Sequence, residues 1–188
     1  MGKDSSTKRL KKGDFYETPK WALEALLKRE GFEGGILEPC CGKGAISKVL
    51  EEYGYEVNSS DISEEEKIYG EKGKDALMIT KTYDNIVTNP PYSRKILNKL
   101  VNHLSLLYIR KMALLLRLTF LEGEGRREFL ISSPLKAIYV FSSRVTMYPE
   151  NEEKPENSGT TAYAWFVWEK GYTGSTTIHW ISDKEGEN

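Results

Sequence analysis

Short apolar runs alternate with amphipathic segments along most of this 188-residue chain. The runs at 36–37, 86–88 and 112–116 suit buried strands, because strands covered on both faces are almost continuously apolar or β-branched. Apolar residues then recur from Ile96 to Tyr108 with the 3.6-residue period of an amphipathic helix. Strands that alternate with helices in this way predict an α/β fold.

Local signals predict the other elements. Thr18 is expected as the N-cap, and Pro19 as the first residue, of a helix that continues through Trp21. Ser93 is expected to cap the amphipathic helix. Further helices are predicted at 45–53 and 63–69. Four more strands are predicted, the last two joined as a hairpin by the turn at 171–174: 55–61, 137–141, 163–168 and 176–181.

Length and charge limit the classes of protein that fit. The chain suits one domain, predicted over 14–182, with a flexible basic arm at 1–13 and a tail at 183–188. Lys and Arg number 27 against 28 Asp and Glu, a net charge of -1. This balance excludes a uniformly basic nucleic-acid-binding surface, although a local basic patch remains compatible with it.

Cysteine, histidine and hydropathy point away from a metal site and from a membrane. Cys40 and Cys41 are adjacent, and the two histidines, His103 and His179, lie far from them, so metal-ligand spacing is absent. No apolar run approaches the roughly 18 residues of a membrane span, and the polar amino terminus lacks the apolar region of a signal peptide. We therefore expect a cytoplasmic protein with reduced thiols, without a metal.

The stretch at 84–93 carries the clearest candidate chemistry. Its strand must end at Asn89, because Pro90 and Pro91 cannot donate to a sheet ladder. Asn89 therefore lies at the carboxyl end of a strand, the edge where open α/β sheets bind ligands. Its side-chain oxygen and the Pro90 carbonyl offer two acceptors, and Tyr92 offers a flat ring. The alternative is a strand that ends in an ordinary proline turn.

Such a group of residues suits transfer to an exocyclic amino group. The nitrogen of such a group is a poor nucleophile, because its lone pair is delocalised into the ring. If the Asn89 oxygen and the Pro90 carbonyl each accept one N–H, the nitrogen becomes pyramidal and its lone pair points at an electrophile. Positioning and preorganised dipoles then provide most of the catalysis.

A second set of polar residues follows the first two strands. Glu38 ends the first strand, and Gly42 and Gly44 form a turn that allows a bound molecule to approach the backbone. Asp61 ends the next strand, where an acid commonly binds a ribose, although it could instead cap the helix at 63–69. Asp75 could accept from an adenine amino group, and Thr18 with the first helical turn could hold a carboxylate.

In this order the residues resemble the adenine-specific DNA methyltransferases that use S-adenosylmethionine. The resemblance covers roughly residues 14–118 and rests on five motifs of the chain: Thr18-Pro19, Glu38-Pro39-Cys40-Cys41-Gly42-Lys43-Gly44, Asp61, Asp75-Ala76-Leu77 and Asn89-Pro90-Pro91-Tyr92. It implies a Rossmann-like class I methyltransferase fold, with a seven-stranded, mostly parallel sheet between helices.

The resemblance also implies a role for each motif. Asn89, Pro90, Pro91 and Tyr92 would hold the target base and catalyse the transfer. S-adenosylmethionine would contact residues from the other motifs and their neighbours: Tyr16, Thr18, Pro19, Glu38, Cys40, Gly42, Asp61, Ile62, Asp75, Ala76 and Asn89. Within this set, Asp61 would hold the ribose and Asp75 the adenine of the cofactor.

Recognition of the substrate falls to Tyr92 and to two arginines. Arg117 is expected at the same sheet edge as Asn89, and Arg144 lies in a long polar loop at 142–161 that could contact a nucleic-acid strand. Its second half, 150–156, is acidic and would repel phosphate. The large target-recognition domain of bigger DNA methyltransferases has no counterpart here, which implies a short or relaxed target, a homodimer or a partner subunit.

The sequence thus predicts an adenine-specific DNA methyltransferase. Four alternatives remain open: an RNA adenine methyltransferase, which could reach an unstacked adenine without opening a duplex; a protein glutamine methyltransferase; a cytosine amino methyltransferase; and a non-catalytic subunit that binds nucleic acid or a catalytic partner. The intact motif at 89–92 argues against the last of these.

Overall fold

The computed structural model describes residues 17–147 and 161–183. The predicted basic arm, Tyr16, the acidic half of the 142–161 loop and nearly all of the predicted tail lie outside the described residues.

Four helices and seven strands form the described part of the chain. The helices are α1 (Lys20–Leu27), α2 (Ser47–Glu52), α3 (Arg94–Leu104) and α4 (Glu124–Ser132), and two short 3-10 helices span Ala76–Met78 and Leu118–Leu121. The strands are β1 (Ile36–Glu38), β2 (Val57–Ser59), β3 (Tyr83–Thr88), β4 (Tyr108–Arg117), β5 (Leu135–Phe141), β6 (Tyr163–Glu169) and β7 (Thr177–Ile181). No helix in the described part of the chain is long and apolar enough to cross a membrane.

All seven strands belong to one sheet with the order β2-β1-β3-β4-β6-β5-β7. β1 pairs in parallel with both β2 and β3, β3 pairs in parallel with β4, and β5 pairs in parallel with β7. β6 alone runs antiparallel to its neighbours, β4 and β5. The predicted seven-stranded, mostly parallel sheet is confirmed.

Apolar side chains cover the sheet on both faces. Along β4, Ala113 and Leu115 point into the core that contains α1 and α2, whereas Met112 and Leu114 point into the core that contains α3. Period-2 alternation along a strand that is apolar from Met112 to Leu116 therefore supplies both cores. The indole N–H of Trp165 donates to the carbonyl of Ala22 at 2.8 Å, which fixes α1 to the sheet.

The predicted hairpin between the last two strands is wrong. β7 pairs in parallel with β5 and does not pair with β6, because β4 and β5 already occupy both edges of β6. β7 consequently forms an outer edge of the sheet. Its first four residues are exposed, and Ile178 and Trp180 project from one face of it.

Two local predictions in the first half of the chain are also wrong. The helix predicted at 63–69 does not form: of these residues only Ile68 is buried, so a helix here would lack an apolar stripe to pack against the sheet. Pro19, not Thr18, occupies the N-cap of α1, with an extended ψ of 138° and without a side-chain capping bond. Thr18 makes a contact with another part of the chain instead.

Charged residues form a network around a buried carboxylate at the amino edge of the sheet. The carboxylate of Glu30 is buried and lies 2.6 Å from Nζ of Lys111 and 3.5 Å from Nζ of Lys136. The Tyr139 hydroxyl also donates to Glu30 at 2.7 Å. Burial by itself would raise the pKa of Glu30, but the hydrogen bonds from Lys111 and Tyr139 and the charges of both lysines hold it below its ordinary value.

Glu30→Gln should lower the free energy of unfolding by about 2–3 kcal/mol at neutral pH, because charged hydrogen bonds to a buried carboxylate are lost. A carboxylate with a lowered pKa stabilises the fold above its unfolded pKa, and this contribution disappears as the pH falls through the folded pKa. The difference between variant and wild type should therefore shrink below about pH 4, near the ordinary pKa of Glu. Urea unfolding of both proteins at pH 7 and at pH 3 measures this difference in the free energy of unfolding.

Glu33→Gln is the matched control, because the Glu33 side chain is 83% exposed and pairs with Arg110 at the surface. This substitution should lower the free energy of unfolding by less than about 1 kcal/mol, as for exposed ion pairs in general. Equal costs for the two variants would contradict the proposed importance of the network around Glu30.

Candidate active site

The carboxyl ends of β1 and β3 meet at one edge of the sheet. The chain passes from β1 to β2 on one side and then returns to form β3 on the other side of β1, so the topological switch point lies between β1 and β3. Their register pairs Leu37 with Ile86, so Glu38, the last residue of β1, and Asn89, the first residue after β3, lie at the same edge of the sheet. Open α/β sheets bind their ligands at such a point.

Asn89 follows β3 directly, as predicted, and its amide is held at both ends. The amide nitrogen Nδ2 donates to Oγ1 of Thr18 at 3.1 Å and lies 3.6 Å from Sδ of Met147. The Tyr92 hydroxyl donates to the carbonyl oxygen Oδ1 of Asn89. The side chain thus has one defined orientation, with its oxygen directed toward Tyr92.

Tyr92 lies between aromatic and cationic neighbours. Its ring centroid is 5.5 Å from that of Tyr163, and the guanidinium of Arg117 lies 5.0 Å from the ring. Burial raises the pKa of the Tyr92 phenol well above its ordinary value; the neighbouring Tyr163 raises it further and Arg117 lowers it. The hydroxyl is therefore a neutral donor, and its second acceptor, the Leu115 carbonyl, is 3.3 Å away.

Two residues of this site were not predicted from the sequence. Met147 belongs to the polar loop after β5, and the described start of that loop returns to the site because Val145 is buried in the core. Tyr163 begins β6 and pairs with Arg117 across the β4–β6 ladder. Only that antiparallel register brings Tyr163 to Tyr92. The predicted Arg144 lies exposed in the same loop as Met147.

The glycine-rich turn after β1 is joined to the end of β2. The backbone N–H of Gly42 donates to one carboxylate oxygen of Asp61 at 2.9 Å, and the N–H of Ser63 donates to the other at 2.8 Å. Gly44 has a φ of +85°, and a Cβ there would come within 2.5 Å of the Tyr69 ring. Gly44 is therefore required by both backbone conformation and close packing.

Glu38 is buried beneath this turn, with an exposed fraction of 2%. The Ser47 hydroxyl donates to its carboxyl group, and the hydroxyls of Ser47 and Ser59 are 2.6 Å apart. Burial raises the pKa of Glu38 to about 8, against the lowering effect of the Ser47 hydrogen bonds and with smaller contributions from the charges of Asp61 and Glu51. Glu38 is thus mainly protonated at neutral pH.

The two cysteines are neutral thiols. Burial raises the pKa of Cys41 to about 11 and moves the pKa of Cys40 upward as well. Neither thiol has the thiolate character that a nucleophile or a metal ligand needs. Within the residues that the structure describes, no group of three His, Cys, Asp or Glu side chains is arranged to hold a metal ion.

The remaining predicted cofactor residues lie after β2. Ile62 is exposed, and Ala76 is buried at the start of the first 3-10 helix. The Asp75 carboxylate accepts from the backbone N–H of Leu77 at 2.9 Å and so caps that 3-10 helix. The structure therefore gathers the predicted residues into two groups, one around Asn89 and one around the glycine-rich turn, with Asp75 bound to its own local segment.

Glu38→Gln should change how stability depends on pH. A carboxyl group whose folded pKa is raised to about 8 keeps its proton on folding, so the wild-type free energy of unfolding falls as the pH rises from the ordinary Glu value toward 8. Gln lacks this titration, so the variant should gain stability relative to wild type between pH 5 and pH 9. Urea unfolding across this range measures the difference.

Glu128→Gln, at an exposed position of α4, is the control and should follow the wild type at every pH. A constant difference between Glu38→Gln and wild type would show that Glu38 ionises normally in the folded protein.

Solved structures of methyltransferases resemble this chain at low sequence identity. A modification subunit assigned to a type I restriction enzyme from Vibrio vulnificus is 14% identical with a TM-score of 0.59; the match covers 96% of this chain and 50% of that one, so this chain spans half the length of that subunit. A magnesium protoporphyrin IX methyltransferase from Synechocystis with bound SAM is 15% identical with a TM-score of 0.53, covering 79% of this chain and 76% of that one.

A 16S rRNA methyltransferase from T. thermophilus, in complex with AdoMet and guanosine, is 18% identical with a TM-score of 0.50, covering 79% of this chain and 42% of that one. No protein-family model and no curated protein matches the chain. At these identities the likeness concerns the fold, which is the Rossmann-like class I methyltransferase fold that the sequence predicts.

Proposed function

We propose that the protein transfers the methyl group of S-adenosylmethionine to the exocyclic amino group of adenine in DNA. The observation that carries this proposal is the amide of Asn89. Its carbonyl oxygen is oriented at the carboxyl end of β3, next to the glycine-rich turn of β1, and already accepts a hydrogen bond from the Tyr92 hydroxyl. The likeness to methyltransferase structures, one of them a modification subunit, supports the reaction class.

The residues at the switch point fit the cofactor chemically. Each oxygen of the Asp61 carboxylate accepts one backbone N–H and has a further lone pair for a ribose hydroxyl. Glu38 would accept from the cofactor ammonium, and the first N–H groups of α1, which lack a side-chain cap, would receive the carboxylate. Asp75 would accept from the adenine amino group.

The chain would promote the reaction mainly by orientation. The cofactor, when bound, would supply an electrophilic methyl group on a sulfonium sulfur, with that sulfur as the leaving group. Asn89 Oδ1 and the Pro90 carbonyl would each accept one N–H of the amine, which directs the nitrogen lone pair at the methyl carbon. One proton then leaves the alkylated nitrogen through these acceptors to water.

A basic surface beside the site favours a nucleic-acid substrate over a protein or a porphyrin. α3 begins two residues after Tyr92 and contains no Asp or Glu. Arg94, Lys95 and Lys99 are exposed on it, and none of them forms an ion pair within 17–147 and 161–183. In a protein of net charge -1, this local concentration of cations suits a phosphate backbone.

RNA is the second candidate substrate, because the basic face of α3 does not distinguish the two backbones and one structural neighbour is an rRNA methyltransferase. Transfer of labelled methyl from S-adenosylmethionine to duplex DNA, single-stranded DNA and total RNA separates the two. Label in the adenine of DNA would support the proposal. Label in RNA alone would favour the second candidate, and label in neither would contradict both.

Asn89→Ala should reduce turnover by two orders of magnitude or more, on the order of the loss seen for a single preorganised polar group. Cofactor affinity by calorimetry should remain within a few-fold of wild type. Asn58→Ala removes an exposed amide from β2, outside the basic face of α3, and serves as the control, with unchanged turnover expected. Near-normal turnover of Asn89→Ala would refute the assigned role.

Lys95→Glu combined with Lys99→Glu should weaken nucleic-acid binding and reduce the slope of log K against log salt by roughly 0.9 for each phosphate that the protein no longer neutralises. The control replaces Lys81 and Lys170, which lie over the rings of Tyr83 and Tyr108 at the amino edge of the sheet. The control variant should keep the wild-type slope. Equal slopes for all three proteins would mean that α3 does not contact the backbone.

A further inference from the structure

The side chain of Asn89 could serve amino-group transfer in only one of its two amide orientations. The oxygen and nitrogen ends of an amide have nearly the same shape, but only the oxygen accepts a hydrogen bond. If the NH2 end faced the target, two donors would oppose one another and the amine could not be held. The reaction therefore requires a device that selects the orientation.

Thr18 and Met147 supply acceptors for both hydrogens of the amide nitrogen. Oγ1 of Thr18 lies 3.1 Å and Sδ of Met147 lies 3.6 Å from Nδ2 of Asn89. A thioether has no proton to donate, so Met147 can only accept, whereas the Thr18 hydroxyl can accept or donate; Met147 therefore favours the donor end of the amide on the side of the pocket where both residues lie. The NH2 group belongs on this side, and the oxygen is consequently directed at the substrate side.

Thr18 is placed for this contact rather than for capping a helix. It is buried, and the N-cap position of α1 belongs to Pro19. Its neighbour in the sequence, Pro19, accepts the first helical hydrogen bond from Ala22 at 2.9 Å, so Thr18 directly precedes α1 while its side chain contacts Asn89 at the end of β3. The contact joins residues that are 71 positions apart in the chain.

The Tyr92 hydroxyl marks the place of the reacting amine. It donates to Asn89 Oδ1, the same acceptor that the amine N–H would need. When displaced, the hydroxyl has a second acceptor within reach, since the Leu115 carbonyl lies 3.3 Å away. Exchange of one donor for the other would therefore leave no buried hydroxyl unpaired.

From these contacts we propose that Thr18 is a positioning residue: its hydroxyl accepts an N–H of Asn89 and so directs the Asn89 carbonyl oxygen at the reacting amine, whose place the Tyr92 hydroxyl occupies in its absence. This inference rests on the proposed amino-group transfer. It assigns to Thr18 a role distinct from that of a cofactor ligand.

Thr18→Val preserves shape and removes the acceptor, whereas Thr18→Ser retains it. In Thr18→Val we expect kcat to fall about tenfold, the effect of one net hydrogen bond, with little change in cofactor affinity. Thr18→Ser should stay near wild type. Thr80→Val, at an exposed threonine before β3, controls for the substitution itself and should be neutral.

A double-mutant cycle tests whether Thr18 acts through Asn89. If it does, adding Thr18→Val to Asn89→Ala should cause no further loss of kcat. Multiplicative losses would overturn the proposal, because they would mean that the two side chains act independently. Weakened cofactor binding in Thr18→Val with normal kcat at saturation would also overturn it and would leave Thr18 as a cofactor ligand only.

A measurement without turnover keeps this inference separate from the proposed function. The side-chain amide protons of Asn89, identified by their loss in Asn89→Ala, should exchange slowly with solvent in wild type and in Thr18→Ser. In Thr18→Val they should exchange markedly faster. Equal exchange in all three proteins would overturn the proposal, whereas slow exchange in a wild type that methylates no nucleic acid would refute the proposed substrate and leave the orientation established.

Discussion

Parallel pairing of β1 with β3 is the constraint on which the site depends. The loop after β1 leads to β2 on one side and the chain after β3 leads to β4 on the other, so the two loops diverge at the carboxyl edge, where open α/β sheets bind ligands. The register between Leu37 and Ile86 sets how far each strand extends toward that edge. If β3 slipped by one residue against β1, Glu38 and Asn89 would lie on opposite faces of the sheet, and the two halves of the site would be separated.

The amino edge of the sheet contains an ion-pair network that stabilises the fold, whereas the carboxyl edge contains the candidate site. At the amino edge, Glu30 is surrounded by Lys111, Lys136 and Tyr139, so its buried charge is fully compensated. At the carboxyl edge, acids accept neutral donors instead: Ser47 donates to Glu38, and backbone N–H groups donate to Asp61. Carboxyl groups that lack a cationic partner retain acceptor capacity for a ligand, and burial then raises the pKa of Glu38.

Several residues with a proposed ligand role also hold one another in place. Asp61 joins the glycine-rich turn to the end of β2, and Asn89 joins β3 to the segment before α1 through Thr18. Such contacts preorganise the groups that a substrate and a cofactor would contact. In a site without a strong base, most of the rate acceleration must come from this preorganisation. Tyr92 combines both functions, since its hydroxyl satisfies Asn89 while its ring packs between Tyr163 and Arg117.

The sequence by itself determined the elements whose signal is local. The apolar run of β4, the amphipathic period of α3 and the two prolines that end β3 before Asn89 each depend on residues within a few positions of one another. The tertiary structure alone decided the rest: β7 joined β5 because both edges of β6 were taken, the segment at 63–69 stayed irregular because it had no apolar face to bury, and Thr18 met Asn89 from 71 positions away. Met147 and Tyr163 entered the site in the same way. Contacts over such distances depend on which edges and faces remain available once the sheet has assembled, and no local pattern of residues encodes that availability.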